Sequence, residues 1–240
     1  MKKILLGLAA LAVMAGPAMA DTVRMGTEGA YPPYNFINDA GEVDGFERQL
    51  GDELCKRAKL ECEWVTNEWD SIIPNLVSGN YDTIIAGMSI TAERDEVIDF
   101  TQDYIPPSPS SYVSLAGASV DINGGIIAAQ AGTIQASHIA ASGATLVEFA
   151  TPDETIAAVK NGEADAVLAD KEFLAPFVAE SGGEMVFAGE VALGGGIGMG
   201  VRESDGALKA KMDAAIASVK ADGSLNAMIK KWFGDEASTY

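Results

Sequence analysis

The 240-residue sequence predicts an α/β protein of two lobes, and three observations carry that prediction. Short apolar strand patterns alternate with helical ones in two successive series, which implies mostly parallel sheets with helices on both faces. Three prolines in "YIPPSPSSYV" separate the series and favour an extended crossing. A glycine-rich strand, "ALGGGIGMGV", then leads into a last helical stretch, so the chain crosses a second time and finishes on the lobe where it began. Two crossings side by side make a hinge, and the cleft between the lobes becomes the expected ligand site.

The elements follow in order. "MKKILLGLAALAVMAGPAMA" has two lysines, a short apolar core and an Ala-Met-Ala ending, the pattern of a secretory signal cut after Ala20. No cysteine follows that cut to accept a lipid, and no later run reaches the roughly 18 apolar residues of a membrane span. A freely soluble mature chain from Asp21, outside the cytoplasm, is expected. "TVRMGT" alternates as a strand, "GFERQLGDELCKRAKL" has helical spacing through Phe46, Leu50, Leu54 and Ala58, and "ECEWVT" returns to period two. A helix in "SIIPNLVSG" and a buried strand in "DTIIAG" complete the first series.

The second series is strand "GIIAAQ", helix "TIQASHIAAS", strand "TLVEFA", helix "PDETIAAVKNG", strand "ADAVLAD" and helix "KEFLAPFVAES". The series echo one another: in "SGNYDTIIAG" and "NGEADAVLAD", Gly79 matches Gly162, Asp82 matches Asp165 and Ala86 matches Ala169. The glycines suit helix C-caps, and the likeness reads as common architecture. In the terminal stretch Leu208, Met212, Ala215 and Val219 define one helix face. The expected bounds are 1–20 for the signal, 21–108 with 200–240 for the first lobe, and 109–199 for the second.

Charge and composition exclude several functions. Without Lys2 and Lys3 the chain has 14 basic against 35 acidic residues, a net charge of about −21 that repels nucleic acid and anionic lipid. The glycine run fits neither G-x-G-x-x-G nor a Walker loop, so no nucleotide cofactor is expected. Cys55 and Cys62, the only cysteines, read as a disulfide in an oxidising compartment. Two cysteines and the single histidine, His138, make a tetrahedral metal site improbable.

Ligands of open α/β sheets bind beyond the carboxyl ends of the strands. The first lobe places Gly87, Met88 and Ser89 there, followed by Thr91 and Arg94. Ser89 or Thr91 can cap the next helix, and Arg94 can clamp a carboxylate with two parallel bonds. The competing reading is a surface arginine paired with Glu93 or Asp95. The second lobe offers "GTIQ", with Thr133 and Gln135, and ends its last strand in Asp170, a partner for an ammonium group. Carboxylate on one wall and ammonium on the other describe an α-amino acid.

In "GTEGAYPPYNF", "GFERQLGDELCKRAKLEC", "YDTIIAGMSITAERDEVIDFT", "GTIQ", "ADAVLAD" and "ADGSLNAMIKKWF" the chain resembles the periplasmic amino-acid-binding proteins of ABC importers, in the histidine, lysine-arginine-ornithine and opine group. The resemblance covers the whole mature chain. It implies a two-lobed periplasmic-binding-protein fold, a Cys55–Cys62 disulfide, a monomer, and delivery of the ligand to a membrane permease. By that likeness Arg94, Ser89 and Thr133 hold the ligand carboxylate and Asp170 its ammonium. Glu28 then pairs with a cationic side chain that Tyr31 and Trp69 sandwich. Arg94 against Glu28 and Asp170 leaves a site charge of −1, which a basic amino acid, arginine-like, cancels. Ala86 and Gly87 stand where some relatives have serines, and Ile134 where threonine is common. The rival reading is an exported cyclohexadienyl dehydratase on the same scaffold, with Glu28 as its acid.

Overall fold

The computed structural model describes residues 22–240, so the expected signal and its cleavage point lie outside the described residues. The first lobe begins with strand β1 (Thr22–Thr27) and a small antiparallel flap of β2 (Ala30–Tyr31), β3 (Asn35–Ile37) and β4 (Val43–Asp44). Helix α1 (Phe46–Ala58) buries Phe46, Leu50 and Leu54, the face its spacing predicts, and leads to β5 (Glu61–Thr66). The expected helix after Ser71 is preceded by a 3-10 turn, Trp69–Ser71, and runs as α2 (Ile72–Val77), with Pro74 tolerated in its first turn. Strand β6 (Thr83–Ile84), short helix α3 (Ala92–Asp95) and β7 (Asp99–Ile105) follow.

The chain crosses at Pro106–Pro109 into β8 (Ser110–Leu115) and β9 (Ile126–Gln130). It continues through α4 (Ile134–Ala140), β10 (Thr145–Phe149), α5 (Pro152–Lys160), β11 (Ala166–Asp170), α6 (Lys171–Glu180) and β12 (Met185–Val191). It returns in β13 (Ile197–Val201) and ends in α7 (Gly206–Ala221) and α8 (Ser224–Phe233). Met212, Ala215 and Val219 of α7 are buried against the first lobe's core, with Leu208 packed beside them.

The two five-stranded sheets have one topology. Their orders are β5-β1-β6-β13-β7 and β10-β9-β11-β8-β12. In each, four strands point the same way and one opposes them: β13 in the first and β8 in the second. The opposed strand is the one that arrives by a crossing, so each lobe is completed by chain that has just left the other. Strand β13 begins at Ile197, three residues before the bound expected at residue 200. The return falls in Ala192–Gly196, because Ile197, Met199 and Val201 are buried in the sheet they pair with. The glycine run serves that passage: a Cβ at Gly196 would stand 2.8 Å from the Ile105 carbonyl oxygen.

The internal echo has a physical basis. Gly79 and Gly162 both take left-handed backbone after their helices. Three residues on, Asp82 accepts the Arg24 N–H at 3.0 Å and donates its own to the Arg24 carbonyl at 2.8 Å. Asp165 does the same with Ile126, both bonds at 2.8 Å. Each aspartate thus staples a helix–strand turn to the neighbouring parallel strand of its sheet, β1 in the first lobe and β9 in the second. The Cys55–Cys62 bond is formed and ties the last turn of α1 to β5.

Candidate functional site

The carboxyl ends of the two sheets face each other across a cavity whose empty volume, including the part open to solvent, is about 330 Å³. Nine of the ten residues expected at the site line it: Glu28, Tyr31, Trp69, Gly87, Ser89 and Arg94 from the first lobe, and Thr133, Gln135 and Asp170 from the second. Met88 does not. Its side chain is fully buried in the apolar cluster beneath the first sheet, with Trp69, Ile72 and Leu76. The chain bends at Gly87, whose φ is +62°, and beyond the bend Ser89 reaches the cavity while the Met88 side chain turns into the core.

Arg94 lies in the single turn of α3, whose N-cap Thr91 accepts the Arg94 N–H. Its guanidinium donates to the Ser89 carbonyl at 2.8 Å and, across the cleft, to the Gly132 carbonyl at 3.4 Å. It also lies 5.4 Å from the Trp69 ring centre, a cation–π contact. No carboxylate among the described residues pairs with it, so the Glu93 or Asp95 partnership is not formed. Burial lowers it to about 10, against the opposing pull of Asp170 and Glu93. A desolvated guanidinium without a counter-ion is a receptor for an anion.

Asp170 closes β11 and is held from both sides. Gln135 donates to one oxygen at 2.9 Å, and Tyr31 reaches across the cleft to the other at 3.0 Å. No cation pairs with it among the described residues. Burial raises it to about 6, with nearby Glu172 pushing the same way and Tyr31, Arg94 and Gln135 opposing. Tyr31 therefore does more than the expected stacking: its hydroxyl bridges the lobes, and Phe173 covers its ring at 4.3 Å and 11°. Thr133 caps α4 and donates to the Gln130 carbonyl at 2.7 Å.

Glu28 sits at the other end of the cavity, raised to about 7 by burial and by the acidic neighbours Glu68, Asp70 and Asp153. One of its oxygens accepts a 2.6 Å bond from Gln130. Gln130 is a lining residue that sequence reasoning missed, with a signal on hand: it is a polar residue closing the apolar strand "GIIAAQ", as Asp170 closes "ADAVLAD". Ala86 and Ile134 line the cavity as well.

Glu47, in the first turn of α1, is fully buried and pairs with no cation among the described residues. It accepts the Gly87 N–H at 2.7 Å, Asn35 at 2.7 Å and the Tyr104 hydroxyl, and burial raises its pKa. Asn35 in turn accepts the Gly29 N–H at 2.7 Å. The loops bearing Glu28 and Gly87 thus hang from one carboxylate. Gly87 has φ +62°, and a Cβ there would press the Tyr31 ring at 3.3 Å.

Known proteins resemble the chain over nearly its whole length. The L-arginine-binding protein of Pseudomonas aeruginosa is 32% identical and the lysine/arginine/ornithine-binding periplasmic protein of Escherichia coli 30% identical, each alignment covering 97% of both chains. A periplasmic His/Glu/Gln/Arg/opine family-binding protein from Silicibacter pomeroyi, solved in complex with lysine, superposes with a TM-score of 0.88 at 75% identity, over 91% of this chain and 100% of that one. The pattern that defines the bacterial extracellular solute-binding proteins, family 3, matches residues 23–235, and this chain belongs to that family.

Proposed function

We propose that the protein is an extracytoplasmic receptor that closes on a basic L-amino acid and presents it to the permease of an ABC importer. The observation that carries this reading is the charge arrangement: an unpaired, desolvated Arg94 in one lobe and an unpaired, desolvated Asp170 in the other, lining one cavity with Glu28. Arg94 takes the ligand carboxylate with help from Ser89 and Thr133, Asp170 takes the α-ammonium, and Glu28 takes the side-chain cation. A ligand of net +1 cancels the site charge of −1, whereas a neutral amino acid leaves Glu28 desolvated and uncompensated. The lysine held by the Silicibacter pomeroyi protein and the ligands named for the other relatives support a basic ligand. Secretion into the periplasm with cleavage after Ala20, action as a monomer and the absence of catalysis belong to the same reading.

Calorimetric titration of ligand-stripped protein with lysine, ornithine, arginine, histidine and glutamine tests it. Basic ligands are expected to bind tightly and glutamine weakly. Arg94→Ala should weaken every amino acid by about a hundredfold or more, since it leaves the ligand carboxylate unpaired. Glutamine binding without any response to basic ligands would refute the role of Glu28. A carboxyl that holds its proton near neutrality is also what a general acid needs. Turnover of arogenate or prephenate would therefore replace the receptor reading with the dehydratase one.

A further inference from the structure

Gln130 meets Glu28 in a constrained way. It ends β9, is 8% exposed, and its amide nitrogen makes two bonds: 3.1 Å to the Ala150 carbonyl and 2.6 Å to one oxygen of Glu28. Both neighbours are acceptors, so the amide orientation is fixed by chemistry, with nitrogen toward them. The Ala150 carbonyl belongs to the second lobe's sheet margin, beside β10, and anchors the amide. Glu28 is held from its own side as well, through the Gly29 N–H bond to Asn35. The second oxygen of Glu28 and the amide oxygen of Gln130 have no donor among the described residues.

The two basic side-chain classes make different demands on such an acceptor. A guanidinium is a planar fork that pairs best with both oxygens of a carboxylate at once. A primary ammonium is a compact charge with three donors, satisfied by one carboxylate oxygen together with neighbouring acceptors. Resting on the basic-amino-acid reading above, we propose that Gln130 determines which basic side chain this site prefers: its bond takes one lone pair of one Glu28 oxygen and fixes the carboxylate plane, so a guanidinium fork has to share that oxygen with the amide, whereas an ω-ammonium group is served by the free oxygen and neighbouring acceptors. The preferred ligands are then lysine and ornithine, and the preference over arginine is a property of Gln130 as much as of Glu28.

The test compares L-lysine, L-ornithine and L-arginine by calorimetry at pH 8 on the wild-type protein and on Gln130→Met, which keeps the volume and removes the amide. The wild-type protein is expected to bind lysine or ornithine at least tenfold more tightly than arginine. Gln130→Met should shrink that ratio tenfold or more, with arginine gaining. Arginine binding as tightly as lysine to the wild-type protein, or equal changes for both ligands in the variant, would overturn the proposal. Should Gln130→Met unfold at a lower urea concentration than a stable native state allows, Gln130→Asn, whose amide falls one methylene short, takes its place with the same expected shift. Failure of the wild-type protein to bind any of the three ligands is a separate result, and it overturns the basic-amino-acid reading itself.

Discussion

The proposed capture of a basic amino acid at this site should be coupled to proton release. Glu28 titrates at about 7 and Asp170 at about 6 in the cavity, each raised chiefly by burial. In the proposed complex both must be ionised, so affinity is near its full value by about pH 8 and falls as each carboxylate takes up its proton. At pH 5 about one Glu28 in a hundred and one Asp170 in ten remain ionised, so lysine affinity should drop on the order of a thousandfold from pH 8, about 4 kcal/mol. Glu28→Gln removes the larger factor and should leave a fall of about tenfold, carried by Asp170 alone. The ligand-free protein responds in the opposite sense. Protonated Glu28 and Asp170 favour its folded state fully below their unfolded values of 4.5 and 3.8, and that contribution is lost as pH rises through 6 and 7. Titration calorimetry from pH 5 to pH 8, repeated in buffers of different ionisation enthalpy, measures both the affinity and the protons released. An affinity constant to within about threefold across that range, or a Glu28→Gln variant with the full thousandfold fall, would refute the reasoning.

Three other perturbations separate the scaffold from the site. Replacing Cys55 and Cys62 by serine opens a loop of seven-residue separation and should cost about 2.5 kcal/mol in urea unfolding while leaving lysine affinity unchanged. Glu47→Gln can keep one acceptor for Gly87 and Tyr104 but then sets an amide donor against the Asn35 amide, so affinity for every amino acid should fall about tenfold with the ratios between ligands preserved, as calorimetry will register. Burial pushes Asp82 up, but hydrogen bonds from Arg24 and Arg202 outweigh it and hold the carboxyl at about 2. Its stabilisation is present above pH 3.8 and lost toward pH 2, so Asp82→Asn should lower stability at pH 7 by about 1–2 kcal/mol after solvent screening, and by little at pH 2.

The fold and the poles of the site were legible for one reason: both depend on local pattern. The face of α1 follows from helical spacing, the two staples from Asp82 and Asp165 in matching turns, and the placement of Arg94 and Asp170 from their position after buried strands. Met88 shares the strand end with Gly87 and Ser89 in sequence but not in space, because the bend at Gly87 turns its side chain into the core. The strand-end rule that singles out Asp170 applies equally to Gln130, and both line the cavity. Glu47 is different. Its partners Asn35, Gly87 and Tyr104 lie 12, 40 and 57 residues away, and only the packing of α1 beneath the cleft brings them together. Trp69 and Tyr31 also depend on tertiary contacts: one faces Arg94 and the other joins Asp170, which no spacing of aromatics conveys.

The division of charge between the lobes explains why the proposed ligand has to be a zwitterion rather than a simple cation or anion. Arg94 belongs to the first lobe and Asp170 to the second, and each loses solvent without gaining an ion-pair partner. Closing the cleft on nothing leaves both charges desolvated, a cost that hydrogen bonds from Gln135 and Tyr31 to Asp170, and from Arg94 to two carbonyls, offset only in part. A carboxylate alone would satisfy Arg94 and repel Asp170, and an amine alone would do the reverse. An α-amino acid offers both poles about one tetrahedral carbon, so its affinity for the closed arrangement exceeds its affinity for either lobe separately. That difference is the quantity that shifts an open–closed equilibrium. The Tyr31–Asp170 and Gln130–Glu28 bonds add no such bias by themselves, because they form whenever the lobes meet. They set the register in which the lobes meet, and with it the distance between the poles that an α-amino acid has to span.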